Sequence, residues 1–394
     1  MVTSALDTDY YKLTMRNFFK EKFPAKPTKF EFINRTSIPL GSYISKEELN
    51  EEIAEIKYYI DRNAATSDIK RLPNSTRELE IFCDDGNRFG PLSITVEGVW
   101  PQATLWEVPL LATVNELYFK AKMQSLGLSL SEVEAEGERR LRSKLSLLKN
   151  YPELKFVDFG TRRRFSRDWQ ERVLEITLDM VPANILGTSN VELAQYFHIP
   201  PVGTMAHECF MGYSRLFGDS DVAMRDSQHI LLQDWWEFYC GELSIALTDT
   251  FGTKFFFDSF TPEQAENWNG LRQDSGDPFT FGYAAIAFYK KMGIDPKTKT
   301  IVFSDGLTFE KMIALWEEFH NDFNVVFGIG TNLTNDMGCG LNPISIVIKL
   351  SEINGLGTVK LSDNLAKAMG SDYNKEKFIK AFNYENIFYE ETVV

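Results

Sequence analysis

Between residues 155 and 331 the sequence repeats one pattern, a short apolar run that ends in polar residues and precedes a longer helical pattern. Seven such units follow one another, with short runs near 155–159, 184–186, 201–204, 244–247, 300–303 and 325–327, and one at the start of the stretch 270–278. Strands that alternate with helices in this way are typical of a parallel α/β domain. The sequence therefore predicts a parallel sheet whose strands are covered by helices.

Each apolar run is followed by a polar residue that could carry chemistry. These residues are Asp158, Thr188, His207, Asp249, Asp274, Asp305 and Thr331. Because ligands of parallel α/β domains bind at the carboxyl ends of the strands, we expect these side chains to line one cleft. No glycine-rich dinucleotide-binding motif follows the first strand, which favours a barrel over an open sheet.

The remaining parts of the chain predict a second domain, since 394 residues exceed one small core. The rhythm changes near residue 150, so we expect an N-terminal domain over 1–150 and a barrel over 151–342. Two strand-like runs at 344–350 and 357–363 predict that the segment 343–394 rejoins the N-terminal sheet.

Local patterns add expectations for the N-terminal part. Asp7-Thr8-Asp9 predicts the cap of a helix that continues to Met15. Residues 78–96 resemble two strands joined by a turn, and residues 106–121 should begin extended before turning helical.

Composition excludes several classes of function. A net charge of −14 argues against binding nucleic acid or an anionic membrane, although Arg162–Arg164 can make one cleft locally basic. No apolar run approaches the roughly 20 residues of a membrane span. The start of the chain lacks a signal-peptide pattern, and the four distant cysteines form no CxxC pair. We therefore expect a cytoplasmic protein without a zinc site or disulfide framework.

The stretch Gly270–Pro278 concentrates charge where a strand meets a helix. Asp277 is suited to cap the helix and Pro278 to its first turn. Arg272 and Asp274 could grip an anion or a sugar there, and the alternative is an ordinary charged turn.

Three further strand ends suggest ligands. Gly328-Ile329-Gly330-Thr331 and Ser304-Asp305-Gly306 offer backbone donors for a phosphate, although glycine can simply permit a tight turn. Phe159, directly before the arginines, is either a core aromatic or a ring that stacks on a flat ligand while Arg162 meets its anion.

His207 is open to two interpretations. It is a hydrogen-bonded structural histidine, or it is a nucleophile that accepts a phosphoryl group. In the second case Asp249 or Asp274 would orient the ring or hold the Mg²⁺ that phosphoryl transfer needs.

Taken together, the motifs resemble one family. LDTDYYKLTM, VDFGTRRR, LGTSNV, PPVGTMAHE, LRQDSGDP, FSDGL and FGIGTNLT occur in the order found in nicotinate phosphoribosyltransferases, from Leu6 to about Met369. The resemblance implies an irregular β/α barrel and an open-faced α/β sandwich built from both termini. It also implies that nicotinate and phosphoribosyl pyrophosphate give nicotinate mononucleotide and pyrophosphate in NAD biosynthesis. The expected coupling to ATP hydrolysis runs through a phosphorylated histidine.

The resemblance assigns residues as well. Tyr11 and Phe159 match the aromatic pair around the pyridine ring, with Tyr11 expected from the neighbouring subunit of a homodimer with shared sites. Arg272 and Thr204 match positions on the nicotinate side, and His207 matches the phosphorylated histidine.

The other matched positions concern the phosphorylated sugar. Asp274 and Asp305 correspond to ribose- or metal-linked carboxylates, and Arg162 to a phosphate or pyrophosphate contact. Gly328, Gly330 and Thr331 match the 5-phosphate loop.

Ser189 bears on the choice of pyridine. Related nicotinamide enzymes carry an aspartate at this position, which would repel the carboxylate of nicotinate, so serine favours the acid. The alternatives are a nicotinamide or quinolinate phosphoribosyltransferase, a sugar-phosphate β/α-barrel enzyme and a non-enzymatic interaction protein.

Overall fold

The structure is a computed structural model that describes residues 1–66 and 92–388. The strands in these ranges are β1 (Pro27–Asn34), β2 (Thr95–Val99), β3 (Lys155–Asp158), β4 (Ile185–Thr188), β5 (Ile245–Leu247), β6 (Gly270–Gln273), β7 (Thr300–Phe303), β8 (Asn324–Ile329), β9 (Ile346–Ile353) and β10 (Leu356–Gly357). The helices are α1 (Tyr10–Lys22), α2 (Lys46–Thr66), α3 (Trp100–Ala103), α4 (Glu107–Leu126), α5 (Leu130–Leu148), α6 (Arg167–Met180), α7 (Val191–Phe197), α8 (His207–Tyr213), α9 (Asp221–Phe238), α10 (Thr253–Ser259), α11 (Pro262–Asn267), α12 (Pro278–Lys291), α13 (Phe309–Phe319), α14 (Thr331–Thr334) and α15 (Asp372–Ala381).

An antiparallel sheet joins strands from both ends of the chain, in the order β10-β9-β1-β2. β1 alternates partly exposed and buried residues, as a strand with one face on the core does, and it buries Phe30 and Phe32. Phe32 pairs with Ile348 of β9, and Phe30 pairs with Val96 of β2. The expected boundaries at residues 150 and 342 stay predictions.

Helices on this sheet carry two of the candidate site residues. α1, which contains Tyr11, packs on α3, where Phe19 stacks on Trp100 with 3.7 Å between ring centroids. α8, which begins at His207, packs on β9. The antiparallel sheet therefore supports elements that reach the strand ends of the other sheet.

The second sheet is parallel, in the order β4-β3-β8-β7-β6-β5. The expected strand at 201–204 is wrong, because that segment makes only an isolated bridge between Pro201 and Thr188 of β4. On its other side the Thr204 hydroxyl donates to the carbonyl of Ile245 in β5, at 3.4 Å. The segment thus lies between the two outer strands, so the α/β class is confirmed and the barrel is closed irregularly.

Three local expectations differ from the structure. Asp9 occupies the cap position of α1, but its side chain makes no capping bond. Residues 106–121 do not begin extended, since they continue from α3 into α4. Of the run 357–363, only Gly357 is in a strand. Most of the expected hairpin over 78–96 lies outside the described residues.

Capping at α12 agrees with the sequence. The Asp277 carboxylate accepts a hydrogen bond from the amide of Thr280 at 2.7 Å, and Pro278 occupies the first turn. Across the described ranges, no helix combines the length and the apolar character that crossing a membrane requires.

Candidate active site

The carboxyl ends of the parallel strands bring the candidate residues to one edge. Phe159 follows β3, Arg272 lies in β6 and Gly330 follows β8, while His207 contacts Asp274 directly after β6. Because neighbouring strands of this sheet are parallel, these ends share one side. The predicted convergence of distant segments is present.

His207 is buried and held from several directions. Its Nδ1 lies 3.0 Å from the hydroxyl of Thr250, and its Nε2 lies 2.8 Å from Oδ2 of Asp274. The same Nε2 is 2.8 Å from the ammonium of Lys360 and 3.6 Å from Oδ1 of Asp249. The imidazole is therefore enclosed by two carboxylates, one ammonium and one hydroxyl.

The ionisation of this cluster follows from its burial. Burial lowers the pKa of His207 to about 4, and the Lys360 charge acts in the same direction against the two carboxylates. Burial opposes ionisation of Asp274, but the hydrogen bond with His207 and the charge of Arg272 hold its pKa well below the ordinary range. At neutral pH the site thus presents a neutral imidazole beside a carboxylate.

Asp249 is linked to a second buried acid. Its Oδ2 accepts a hydrogen bond from the Ser275 hydroxyl at 2.5 Å, and that hydroxyl accepts one from the amide of Asp363 at 3.0 Å. The Asp363 carboxylate accepts from the amide and hydroxyl of Thr253, at 2.8 and 2.6 Å. Burial and the Asp249 charge raise the pKa of Asp363 to about 7.

Two lysines of the C-terminal segment complete the site, and the sequence did not identify them. Lys360 reaches His207 and lies 3.5 Å from Asp249, while Lys367 pairs with Asp305 at 2.6 and 2.7 Å. Both belong to a stretch that the sequence assigns to a strand or helix at the edge of the other domain. The positions of these two lysines in the sequence do not indicate that their side chains reach the parallel sheet.

Phe159 is half-buried and contacts the glycine-rich segment Gly328–Thr331. A Cβ on Gly328 would lie 2.4 Å from two ring carbons of Phe159, so glycine there makes room for the ring. A Cβ on Gly330 would lie 3.1 Å from the Phe159 carbonyl oxygen. Thr331 begins the short helix α14, whose Thr334 packs on Gly160. The ring and the glycine loop therefore form one surface.

Arg162 lies among acidic groups and Tyr11. Its Nη1 is 3.5 Å from Glu107 and its Nε is 3.9 Å from Asp9. Interaction with Tyr11 is the largest cause that raises the pKa of Arg162. Tyr11 is therefore close to Arg162 of its own chain. Glu107 also accepts from buried Lys12, at 2.5 Å, in an internal ion pair that the sequence does not indicate.

Ser189 is buried, and its hydroxyl donates to Oδ1 of Asp9 at 2.6 Å. Burial raises the pKa of Asp9, although Arg162 and Ser189 oppose the shift. A carboxyl group thus already adjoins Ser189, the residue on which the expected choice between nicotinate and nicotinamide rests. Nearby Asp7 instead binds Arg164 through two contacts, at 2.6 and 2.7 Å, and both side chains are buried.

Arg272 contacts the segment that leads from Thr204 to His207. The Nη1 of Arg272 donates to the carbonyl of Met205 at 3.1 Å, and its buried Nε has no partner among the described residues. Ser304, after β7, donates to Oδ1 of Asp274 at 3.0 Å. The guanidinium therefore retains donors that a ligand at this edge could use.

The acidic part of the site suits a cation. One ligand atom from each of His207, Asp249 and Asp274 lies within 4.8 Å of the others. Oδ1 of Asp249 is buried without a hydrogen-bond partner in the described chain. Because Mg²⁺ prefers oxygen ligands, the two carboxylates fit this ion better than the imidazole does.

Comparisons with known proteins agree with this geometry. Residues 154–386 match the profile of the nicotinate phosphoribosyltransferase (NAPRTase) family. A nicotinate phosphoribosyltransferase from Acinetobacter baumannii is 40% identical over 393 residues, covering 94% of each chain.

The chain belongs to the nicotinate phosphoribosyltransferase family.

Solved structures extend the comparison over nearly the whole fold of this nicotinate phosphoribosyltransferase family member. A nicotinate phosphoribosyltransferase from Porphyromonas gingivalis is 30% identical with a TM-score of 0.83, covering 98% of this chain and 100% of its own. The one from Vibrio cholerae is 31% identical with a TM-score of 0.83, covering 98% and 94%. The residues that match the family profile include all six strands of the parallel sheet as well as Lys360.

Proposed function

We propose that this protein joins nicotinate to phosphoribosyl pyrophosphate, giving nicotinate mononucleotide and pyrophosphate for NAD biosynthesis by salvage. We further propose that ATP hydrolysis drives the reaction through a phosphorylated His207, as in an ATP-dependent ligase. The observation that carries both proposals is the neutral imidazole of His207 between Asp274 and Lys360, at the edge where Phe159, Arg272 and the glycine loop meet.

The histidine chemistry follows from its protonation state. With a pKa of about 4, the ring keeps one unprotonated nitrogen at pH 7, which is the form that attacks phosphorus. The N–P bond forms as the bond between the γ-phosphorus and its bridging oxygen breaks, and ADP leaves. Asp274 and Asp249 stabilise the positive charge that develops on the ring, and water later hydrolyses the phosphohistidine to phosphate.

Mg²⁺ is the metal that we expect at this site, held by the carboxylates of Asp249 and Asp274. When bound, it would neutralise phosphate charge during transfer. Lys360 adds a fixed positive charge in the same place, since its ammonium lies 2.8 Å from His207.

We expect the pyridine ring to bind on the side of the site that is formed by Phe159 and Arg272. We expect Phe159 to offer a ring face for stacking, and Tyr11, which lies close to Arg162, to border the same pocket. Arg272 would meet the nicotinate carboxylate with its unused donors, and Ser189 and Thr204 would border that group. The enzyme then mainly positions the ring nitrogen against the anomeric carbon while pyrophosphate leaves.

The sugar phosphate would lie across the strand ends. Gly330 and Thr331 would donate backbone N–H groups to the 5-phosphate, while Asp305 with Lys367 would border the ribose and pyrophosphate. Gly328 contributes by making room for the ring of Phe159.

A homodimer with shared active sites is part of the proposal, and mixing variants tests it. Each variant alone, Tyr11→Ala or His207→Asn, should lack ATP-coupled turnover. If Tyr11 serves the neighbouring subunit, mixed dimers regain activity at one site in which both residues are intact. If Tyr11 serves its own chain, to whose Arg162 it lies close, mixing restores no activity, and the sharing of sites through Tyr11 is refuted.

Product analysis tests the function directly. Nicotinate mononucleotide should form from nicotinate and phosphoribosyl pyrophosphate, faster with ATP and with matching release of ADP. His207→Asn should abolish ATP hydrolysis while some phosphoribosyl transfer remains. Normal ATP hydrolysis by that variant would refute the phosphohistidine, and faster turnover of nicotinamide or quinolinate would refute the substrate.

A further inference from the structure

The turn after β3 presents two neighbouring arginines that differ in their surroundings. Arg162 already has acidic partners, Glu107 at 3.5 Å and Asp9 at 3.9 Å. Arg163 is half-buried, yet within the described residues its side chain has neither a hydrogen-bond partner nor an ion-pair partner. Its guanidinium therefore keeps all five donors available.

The backbone of this turn is fixed on both sides. Asn115 donates to the carbonyl of Arg162 at 3.0 Å, and Asn335 donates to the carbonyl of Arg163 at 2.7 Å. The amide of Arg163 donates to the carbonyl of Gly160 at 3.0 Å. A turn held in this way presents its side chains at a defined place, which a binding group requires.

The surroundings of Arg163 are positively charged. Burial, together with the charges of Arg162 and Arg35, lowers the pKa of Arg163 to about 10. Asp274 and Asp305 exert a weaker opposite influence, and Asp305 is already paired with Lys367. Arg35 in turn donates to the carbonyl of Lys367 at 3.4 Å, so cations of three distant segments, at residues 35, 162–163 and 367, lie near Asp274 and Asp305 in a protein of net charge −14. Such an arrangement is unfavourable unless an anion joins it.

We propose that Arg163 is the principal guanidinium contact for a diphosphate group, the one that leaves phosphoribosyl pyrophosphate during the reaction. This inference rests on the proposed function and assigns to Arg163 a role that the motif pattern gives to Arg162. A diphosphate suits it because two adjacent phosphoryl groups can accept several N–H donors at once. Arg162, neutralised by Glu107 and Asp9, instead orders the pyridine side.

Calorimetric titration with inorganic pyrophosphate tests the proposal, using wild type, Arg163→Met, Arg163→Lys and Arg167→Met. Arg167 is the matched control, since this nearby arginine is paired with Glu171 and Glu192. Arg163→Met should weaken pyrophosphate binding roughly 10- to 100-fold, and Arg163→Lys should fall in between because it offers a point charge. Arg167→Met should change binding less than twofold.

Thermal unfolding separates a binding role from a structural one. Without ligand, Arg163→Met should melt at or above the wild-type temperature, because it relieves repulsion and breaks no internal contact. Pyrophosphate should then stabilise it less than wild type. A clear drop in the ligand-free melting temperature would identify a structural residue and overturn the proposal.

Steady-state kinetics distinguishes the source of the diphosphate. The KM for phosphoribosyl pyrophosphate should rise at least about tenfold in Arg163→Met, with smaller changes for ATP and nicotinate. A rise confined to ATP would assign Arg163 to the nucleotide and overturn the proposal as stated. Pyrophosphate binding within twofold of wild type would overturn it too. A wild-type protein that bound no pyrophosphate would contradict the proposed function itself.

Discussion

His207 and Lys360 lie 153 residues apart in sequence and 2.8 Å apart in space, Nε2 to Nζ. The same Nε2 is 2.8 Å from Oδ2 of Asp274. A ring nitrogen either donates its proton to a carboxylate or accepts one from an ammonium. Asp274 therefore favours the neutral tautomer that is protonated at Nε2, and Lys360 favours the one that is protonated at Nδ1. The Thr250 hydroxyl can donate to Nδ1 or accept from it, so it is compatible with both tautomers.

We expect Lys360→Met to shift this balance toward the tautomer that is protonated at Nε2 and donates to Asp274. Asp274→Asn should shift it the other way. Nitrogen-15 NMR of the labelled histidines distinguishes the two forms. Lys360→Met should also raise the pKa of His207, since the Lys360 charge helps to lower it. Identical His207 spectra in both variants would contradict this account.

Lys360→Met should also slow ATP hydrolysis. Removing one fixed donor from a preorganised site costs roughly 100- to 1,000-fold in rate, and we expect Lys360→Met to approach the lower figure. Lys254→Met is the control, because Lys254 pairs with Asp258 in a surface ion pair. A Lys360→Met rate within twofold of the control would exclude a role for this ammonium.

Asp363 should make stability depend on pH. Its folded pKa of about 7 exceeds its ordinary value of 3.8, so between these values folding takes up a proton and stability falls as pH rises. Asp363→Asn removes this decline. Between pH 5 and pH 8, the free energy of unfolding of the variant should gain roughly 2 to 3 kcal/mol relative to wild type.

Urea denaturation at both pH values measures this difference. His207 contributes with the opposite sign, since its folded pKa of about 4 lies below its ordinary value of 6.5. Both proteins contain His207, so its effect cancels in the comparison. Asp258→Asn, on an exposed carboxylate, should change stability equally at both pH values. If Asp363→Asn, like this control, changed stability equally at pH 5 and pH 8, Asp363 would not take up a proton on folding.

Local patterns predicted the parts of the site that depend on strand ends. Asp277 caps α12 as its position before Pro278 predicts, and Asp274 follows β6 at the edge where the parallel strands end. His207 reaches Asp274 from the start of α8, although the segment 201–204 before it forms only an isolated bridge. The sequence did not predict the role of Lys360, because the alternation of polar and apolar residues in 357–363 does not show that the chain leaves the antiparallel sheet after Gly357. Asp9 lies at the position expected of a helix cap, but its carboxylate accepts a hydrogen bond from Ser189, 180 residues away, instead of capping α1.

Gly328→Ala should disturb the pyridine pocket specifically. The added Cβ would lie 2.4 Å from two carbons of the Phe159 ring, so the ring must move. Overpacking of this kind costs about 1 to 3 kcal/mol, which corresponds to roughly 5- to 150-fold in the KM for nicotinate if the ring moves within the pocket. Gly98→Ala is the control, since its nearest neighbour would be 3.8 Å away. An unchanged KM would remove Phe159 from the pocket.

Ser189→Asp tests the choice between acid and amide. The Ser189 hydroxyl donates to Asp9, so this variant would set two buried carboxyl groups against each other and against the carboxylate of nicotinate. We expect kcat/KM for nicotinate to fall at least about 100-fold, and that for nicotinamide to fall much less, because an amide can donate to a carboxylate. Ser189→Ala removes only the hydrogen bond to Asp9 and should affect the two pyridines alike. Competition kinetics with both pyridines gives the ratio directly. Equal losses for nicotinate and nicotinamide in Ser189→Asp would mean that the acid is selected elsewhere, with Arg272 the next residue to vary.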